Sequence, residues 1–131
     1  MEILNTEIID NAHPQIDEST GNEFYQPSEI SILVEIELDG KNYHLDFQST
    51  TTCDYGAYSS SLAAYDGTDD YDALFDVIDD EVKFNELLAQ VKNESNAQKQ
   101  RDEYVNENYE VDTDYFGGMD ANSEVNRAVK K

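Results

Sequence analysis

Carboxylates are the side chains whose spacing most invites chemistry in this sequence. Asp66, Asp69, Asp70, Asp72, Asp76, Asp79, Asp80 and Glu81 fall within sixteen residues. Asp69, Asp72, Asp76 and then Asp79 or Asp80 are separated by three or four residues. On a helix that spacing sets them on one face, about 4.5 to 6 Å apart along the axis. Like charges so placed cost the helix roughly a few tenths of a kcal/mol per pair. What they offer in return is a displayed row of negative charge. Duplex DNA carries one charge per ~1.7 Å of axis, so the row is a sparse version of a phosphate backbone. A basic channel built for nucleic acid can accept it. Glu35 and Glu37 make a second acidic patch. Tyrosines interleave with the acids: Tyr55, Tyr58, Tyr65 and Tyr71 lie among Asp54, Asp66, Asp69, Asp70 and Asp72. A tyrosine ring can contact a partner and stack on arginine while its hydroxyl stays hydrogen-bonded. Tyr65 is counted with the partner-binding acids, whereas Tyr43 and Tyr71 are expected in the core.

Other chemistries are weaker on the page. An EF-hand loop needs Gly at its sixth position and Glu at its twelfth. Counted from Asp66, those positions are Tyr71 and Val77, and the match fails. Counted from Asp112, Asp114 and Gly117 fit, but the fifth position is Phe116 and the twelfth Ser123, with Glu124 one place late. Weak calcium binding by that loop is one alternative reading. Paired carboxylates for glycoside hydrolysis carry almost no information among 30 acids. Cys53 and His44 could suggest a thiol nucleophile and its base. However, surrounding negative charge disfavours a thiolate, and His44 is expected to pair across a hairpin with Glu35. His13, ahead of Pro14, reads as loop. Gly117-Gly118 is no phosphate loop. The expectation is a protein with no catalytic residues, no metal site and no cofactor.

The elements that must position these residues can be read from periodicity. Ile32, Val34, Ile36 and Leu38 alternate with Leu33, Glu35 and Glu37, and Tyr43, Leu45 and Phe47 alternate with His44, Asp46 and Gln48. Asp39-Gly40 between them is a two-residue turn signal, because a type I′ turn needs positive φ at both positions. The register follows: Leu38 with Lys41, Ile36 with Tyr43, Val34 with Leu45, Ile32 with Phe47, and all apolar partners on one face. The opposite face pairs Glu35 with His44, Glu37 with Asn42 and Leu33 with Asp46. A helical stripe, Tyr71, Leu74, Phe75 and Ile78, lies opposite the carboxylate row. Thr68 or Asp69 can cap it, and its first-turn acids suit the helix dipole. A second stripe, Phe84, Leu87, Leu88 and Val91, has a different phase, which predicts a break near Asp79-Asp80. Ile3–Ile9 reads as a strand and 11–28 as a loose loop. One further strand is expected around Tyr55–Leu62. Helix continues to about residue 104 with almost no apolar face. Residues 106–131 read as a polar region, with loop through Gly118 and a short helix near Asn122–Val129. The fold class is therefore α+β: a small antiparallel sheet containing the 30–48 hairpin, packed by helices at about 69–78 and 81–104, in one domain spanning 1–131.

The 131 residues include 30 Asp and Glu against 8 Lys and Arg, a formal net charge of −22. Residues 1–82 hold 20 acids and Lys41 as their one base, so the stretch carries −19 and the remainder −3. The acidity runs through the segments that fold, not through a tail. Solubility needs far less, on the order of 2 to 8 charges for a small domain. Such a charge excludes direct electrostatic binding of nucleic acid or an anionic membrane. No apolar run approaches the ~18 residues of a membrane helix, and MEILNTEIID lacks the features of a secretory signal. One cysteine cannot form an internal disulfide. A cytoplasmic location is expected, the host cytoplasm if the gene is phage-borne.

In size, charge, single cysteine and the Asp69–Glu81 row with its tyrosines, the chain resembles the small acidic inhibitors carried by phages and other mobile elements. These are the anti-restriction, anti-CRISPR and glycosylase-inhibitor proteins that mimic DNA. The resemblance is one of class and transfers no residue roles. It implies a non-enzymatic inhibitor occupying the basic nucleic-acid-binding surface of a host nuclease or CRISPR effector. An immunity protein that neutralises a basic toxin nuclease is the alternative.

Overall fold

A computed structural model describes residues 1–54, 57–112 and 127–131. The chain begins, as its apolar pattern predicts, with a strand, β1 (Glu2–Asp10). The segment after it holds two two-residue strands, β2 (Gln15–Ile16) and β3 (Glu23–Phe24), paired antiparallel, and a 3₁₀ turn at Pro27–Glu29. Two long strands follow, β4 (Ile30–Leu38) and β5 (Lys41–Asp54). Their register matches the expected one at every pair from Leu38↔Lys41 to Ile32↔Phe47. Asp39 at φ 52° and Gly40 at φ 80° supply the two positive angles the turn requires. The hairpin outruns its expected end at residue 48, because β5 continues and pairs with β6 (Ala57–Ala64) from Phe47↔Ala64 to Asp54↔Ala57. The sheet order is β1-β4-β5-β6, antiparallel throughout.

Three helices cover one face of this sheet: α1 (Asp69–Ile78), α2 (Glu81–Glu94) and α3 (Ala97–Asn108). The fold is α+β. Ile32, Val34, Ile36, Tyr43, Leu45 and Phe47 project from the hairpin into a core closed by Leu74, Phe84, Val91 and Ala97. Phe84 receives the rings of Tyr71 and Phe75 edge-on, at 4.9 and 5.1 Å between centroids. The opposite face of the sheet carries Leu33, Glu35 and Glu37, all half-buried, beside exposed His44.

The helix expected over 81–104 is two helices. Ser95 and Asn96 interrupt it, Asn96 taking a left-handed φ of 54°, a conformation asparagine tolerates. The expected absence of an apolar face on α3 has a physical resolution: the face it buries is Ala97, Arg101 and Val105. Arg101 is fully buried. Its Nε donates to the Ile30 carbonyl at 3.0 Å, and its Nη2 to the Pro27 carbonyl and, at 3.4 Å, to Ser49 Oγ. Nη1 reaches Asp102 Oδ1 at 3.3 Å. The guanidinium thus satisfies the carbonyls of the 3₁₀ turn and of the first residue of β4. Burial lowers its pKa, and Asp102 opposes that shift.

The C-terminal region also departs from expectation. Tyr109–Asp112, read as loop, is a strand, β7, and the final residues of the expected 122–129 helix belong to another strand, β8 (Arg127–Lys130). The rest of that expected helix lies outside the described residues. Tyr25 bridges to Ala128 through N–H···O bonds of 2.7 and 2.8 Å in the two directions. Ile30, Val105, Tyr109 and Ala128 form a second small core there. Asp10 Oδ2 accepts from the hydroxyls of Tyr104 at 2.7 Å and Tyr109 at 2.8 Å. Arg127 stacks over Phe24 and pairs with Asp17 at 2.5 Å. Among the described residues, no helix is long and apolar enough to cross a membrane.

Candidate partner-binding surface

Thr68 caps α1, its hydroxyl accepting from the Tyr71 N–H at 3.2 Å. Leu74, fully buried, pins the helix to the sheet. With that face fixed inward, the 3.6-residue period turns Asp69, Asp72 and Asp76 outward, and all three are exposed. Asp70 lies on the flank and is half-buried. Its Oδ2 accepts from the backbone N–H of His44 at 2.7 Å. The reason lies in the sheet: β6 pairs with β5 only from Phe47 onward, so the edge of β5 at His44 is bare and a carboxylate caps it. His44 Nδ1 is 3.4 Å from the same oxygen, and its Nε2 is 3.3 Å from Glu35 Oε2. The cross-strand partner expected for His44 is therefore present. Through it the Glu35 patch and the first turn of α1 form one acidic surface. Glu37 stands two residues further along β4, opposite Asn42 on one side and Glu2 on the other.

The carboxylate row is shorter than its spacing predicts. Asp79 adopts a left-handed conformation at φ 49° and ends α1, so it leaves the helical row while remaining exposed. Asp80 begins the next helix, its side chain accepting from the Lys83 N–H at 3.1 Å. Glu81 follows in the first turn of α2, exposed. Asp66, Asp72 and Glu81 converge on Tyr71: burial raises the pKa of its hydroxyl, and these three charges raise it further. Tyr71 is half-buried, and Tyr65 is 46% exposed. The Tyr65 ring folds over Gly67, where an added Cβ would overlap it.

Apolar groups accompany the acids. Phe75, expected inside, is 38% exposed, and Val77 and Val82, flanking the Asp79-Asp80 break, are 54% and 67% exposed. No periodic signal singles out Val82, which sits on the outer side of its own helix start.

The remaining chemistries find no constellation. Cys53 and His44 lie nine residues apart on one extended strand, roughly 30 Å at 3.3 Å per residue, too far for a nucleophile and its base. Among the described residues, no three His, Cys, Asp or Glu side chains are grouped to hold a metal ion. Most of the Asp112–Glu124 loop lies outside the described residues. Comparison with family models, with curated proteins and with solved structures finds no match for this chain.

Proposed function

We propose that this protein is a non-enzymatic inhibitor that occupies the basic nucleic-acid-binding surface of another protein, a host nuclease or CRISPR effector. The observation that carries the reading is the exposure of Asp69, Asp72 and Asp76 on one outward helix face whose opposite side is anchored by Leu74. A fixed row of charge meets a basic groove with less ordering cost than a mobile acidic tail. Asp66, Asp79, Asp80, Glu81, Glu35 and Glu37 widen the negative field, which steers a basic partner to the surface. Tyr65, Phe75, Val77 and Val82 supply the ring and apolar contacts that a purely electrostatic surface lacks.

The test is affinity capture of host proteins on the immobilised chain at low salt, followed by elution with a DNA duplex. Captured proteins should release into the duplex and lose their own DNA binding when this protein is added. The double reversal D72K/D76K should abolish capture while leaving the circular-dichroism melt intact. Retained capture by that variant refutes the assignment of the row. Partners with no affinity for nucleic acid refute the inhibitor reading itself.

A further inference from the structure

A second site lies on the open face of the sheet, where β4 begins. Asn11, His13, Ser28, Glu29, Ser31 and Gln48 line a cleft of about 290 Å³. Ser31 is four residues before Glu35 on the same strand, about 13 Å away at 3.3 Å per residue. The cleft is therefore separate from the acidic surface of α1.

Its polar groups are unequally satisfied. Glu29 Oε2 accepts from the His13 backbone N–H at 3.2 Å and lies 3.0 Å from His13 Nδ1. Glu29 Oε1 has no protein partner. Ser31 is 94% buried by its 6% exposure, and its hydroxyl makes no hydrogen bond within the protein. The Ser28 hydroxyl makes none either. Gln48 donates its Nε2 to Asp46 Oδ2 at 2.8 Å, which leaves the Gln48 amide oxygen as an acceptor. Ser31 is the nearly buried residue of this lining, and with Glu29, Ser28 and Gln48 it turns unpaired oxygen atoms toward the cleft, where a ligand's donors can match them.

The unmatched atoms are acceptors, or hydroxyls able to accept, grouped around one carboxylate in a chain of net charge −22. That combination favours a cation carrying several N–H donors. A bare metal ion is a poor fit, because the cleft offers one carboxylate and is far larger than an ion. An ammonium presents three donors on a point charge, whereas a guanidinium presents five in a flat fork that reaches separated acceptors at once. We propose that this cleft binds a guanidinium group. Glu29 Oε1 takes its charge, and Ser28, Ser31 and the Gln48 amide oxygen accept from the rest of the fork. The proposal is independent of the α1 row. The guanidinium can belong to a free small molecule or to an arginine side chain of a protein.

Titration of the ¹⁵N-labelled full chain with agmatine tests it, read by amide shifts at fixed ionic strength. Saturable shifts are expected at Ser28, Ser31 and Gln48. Cadaverine, the ammonium counterpart, should bind several-fold more weakly. E29Q should weaken agmatine binding about tenfold or more, the value of a charge-assisted hydrogen bond. S31A, which removes one acceptor and no charge, should weaken it a few-fold. D72N/D76N should leave it unchanged. Equal affinity for agmatine and an arginine-containing tetrapeptide indicates a free guanidine, and a tenfold preference for the peptide indicates an arginine side chain. Both results support the site. Equal binding of cadaverine and agmatine, or no effect of both E29Q and S31A in variants that keep native amide dispersion, overturns it.

Discussion

Replacing Arg101 with Met should destabilise the protein by about 3 kcal/mol, although the change removes a buried charge. Burying a guanidinium is costly, and its replacement by an apolar residue of similar length relieves that cost. The replacement also strips the Ile30 and Pro27 carbonyls of their donor. A buried carbonyl left unmatched costs ~1–3 kcal/mol, so two give ~2–6 kcal/mol before the relief is subtracted. The Asp102 partner contributes little. It is 38% exposed, and its oxygen lies 3.3 Å away; such half-exposed pairs are worth ~1 kcal/mol at most. R101M should therefore lower Tm by about 10 °C for a chain of this length, while D102A shifts it by less than about 3 °C. R101K should fall between them, because one ammonium cannot reproduce a fork that reaches Ile30, Pro27 and Ser49. Urea unfolding followed by circular dichroism at constant m reads all three. If D102A matches R101M, the ion pair is what matters and the carbonyl argument is wrong. If R101M is within 1 kcal/mol of the native chain, both are wrong.

Further outcomes follow from the same contacts. L74A should cost ~2–5 kcal/mol as a core truncation and weaken partner binding with no change in charge, measurable by unfolding and capture side by side. D80A should cost about 1 kcal/mol through the lost α2 cap, whereas D69A, exposed and not a cap, should change stability by less than about 0.5 kcal/mol. Asp17 is held at a pKa of about 2 by hydrogen bonds from Ser19 and by Arg127. Its folded value lies below its unfolded one, so its stabilisation is complete above pH ~4 and vanishes as pH falls through about 2; in D17N that acid slope of the urea midpoint should be shallower. The hydroxyl of Tyr109 is raised, first by burial and then by Asp10, and that of Tyr104 first by its hydrogen bond to Asp10. Raised folded values mean stability that is full below pH ~10 and lost above it, so Y109F should flatten the alkaline limb of the melt.

The features legible in the sequence are those set by short-range rules. The period of two and the Asp39-Gly40 turn determine the β4–β5 register, since a one-residue slip would expose Ile32, Val34 and Ile36 together. The period of 3.6, with Thr68 as a cap, determines which side of α1 shows Asp69, Asp72 and Asp76. The same register explains why Glu35 meets His44. Tertiary structure decided the rest, because the partners are distant in sequence and polar groups have no periodic signature. Arg101 finds its carbonyls 71 and 74 residues away, and a helix judged by apolar residues alone conceals that it buries a guanidinium. Arg127 finds Asp17 110 residues away, and β8 forms where a helical pattern was expected because Tyr25 and β7 offer it backbone partners. Asp70, one of the candidate partner-binding acids, is drawn to the His44 N–H because β6 pairs with β5 only from Phe47 onward. The cleft at Glu29 arises where the loop at Asn11 and His13, the 3₁₀ turn and the starts of two strand pairings meet, and no stretch of sequence contains that junction. Charge and its local spacing belong to the sequence; which charges remain free to meet a partner was decided by the folded chain's need to match its own donors and acceptors.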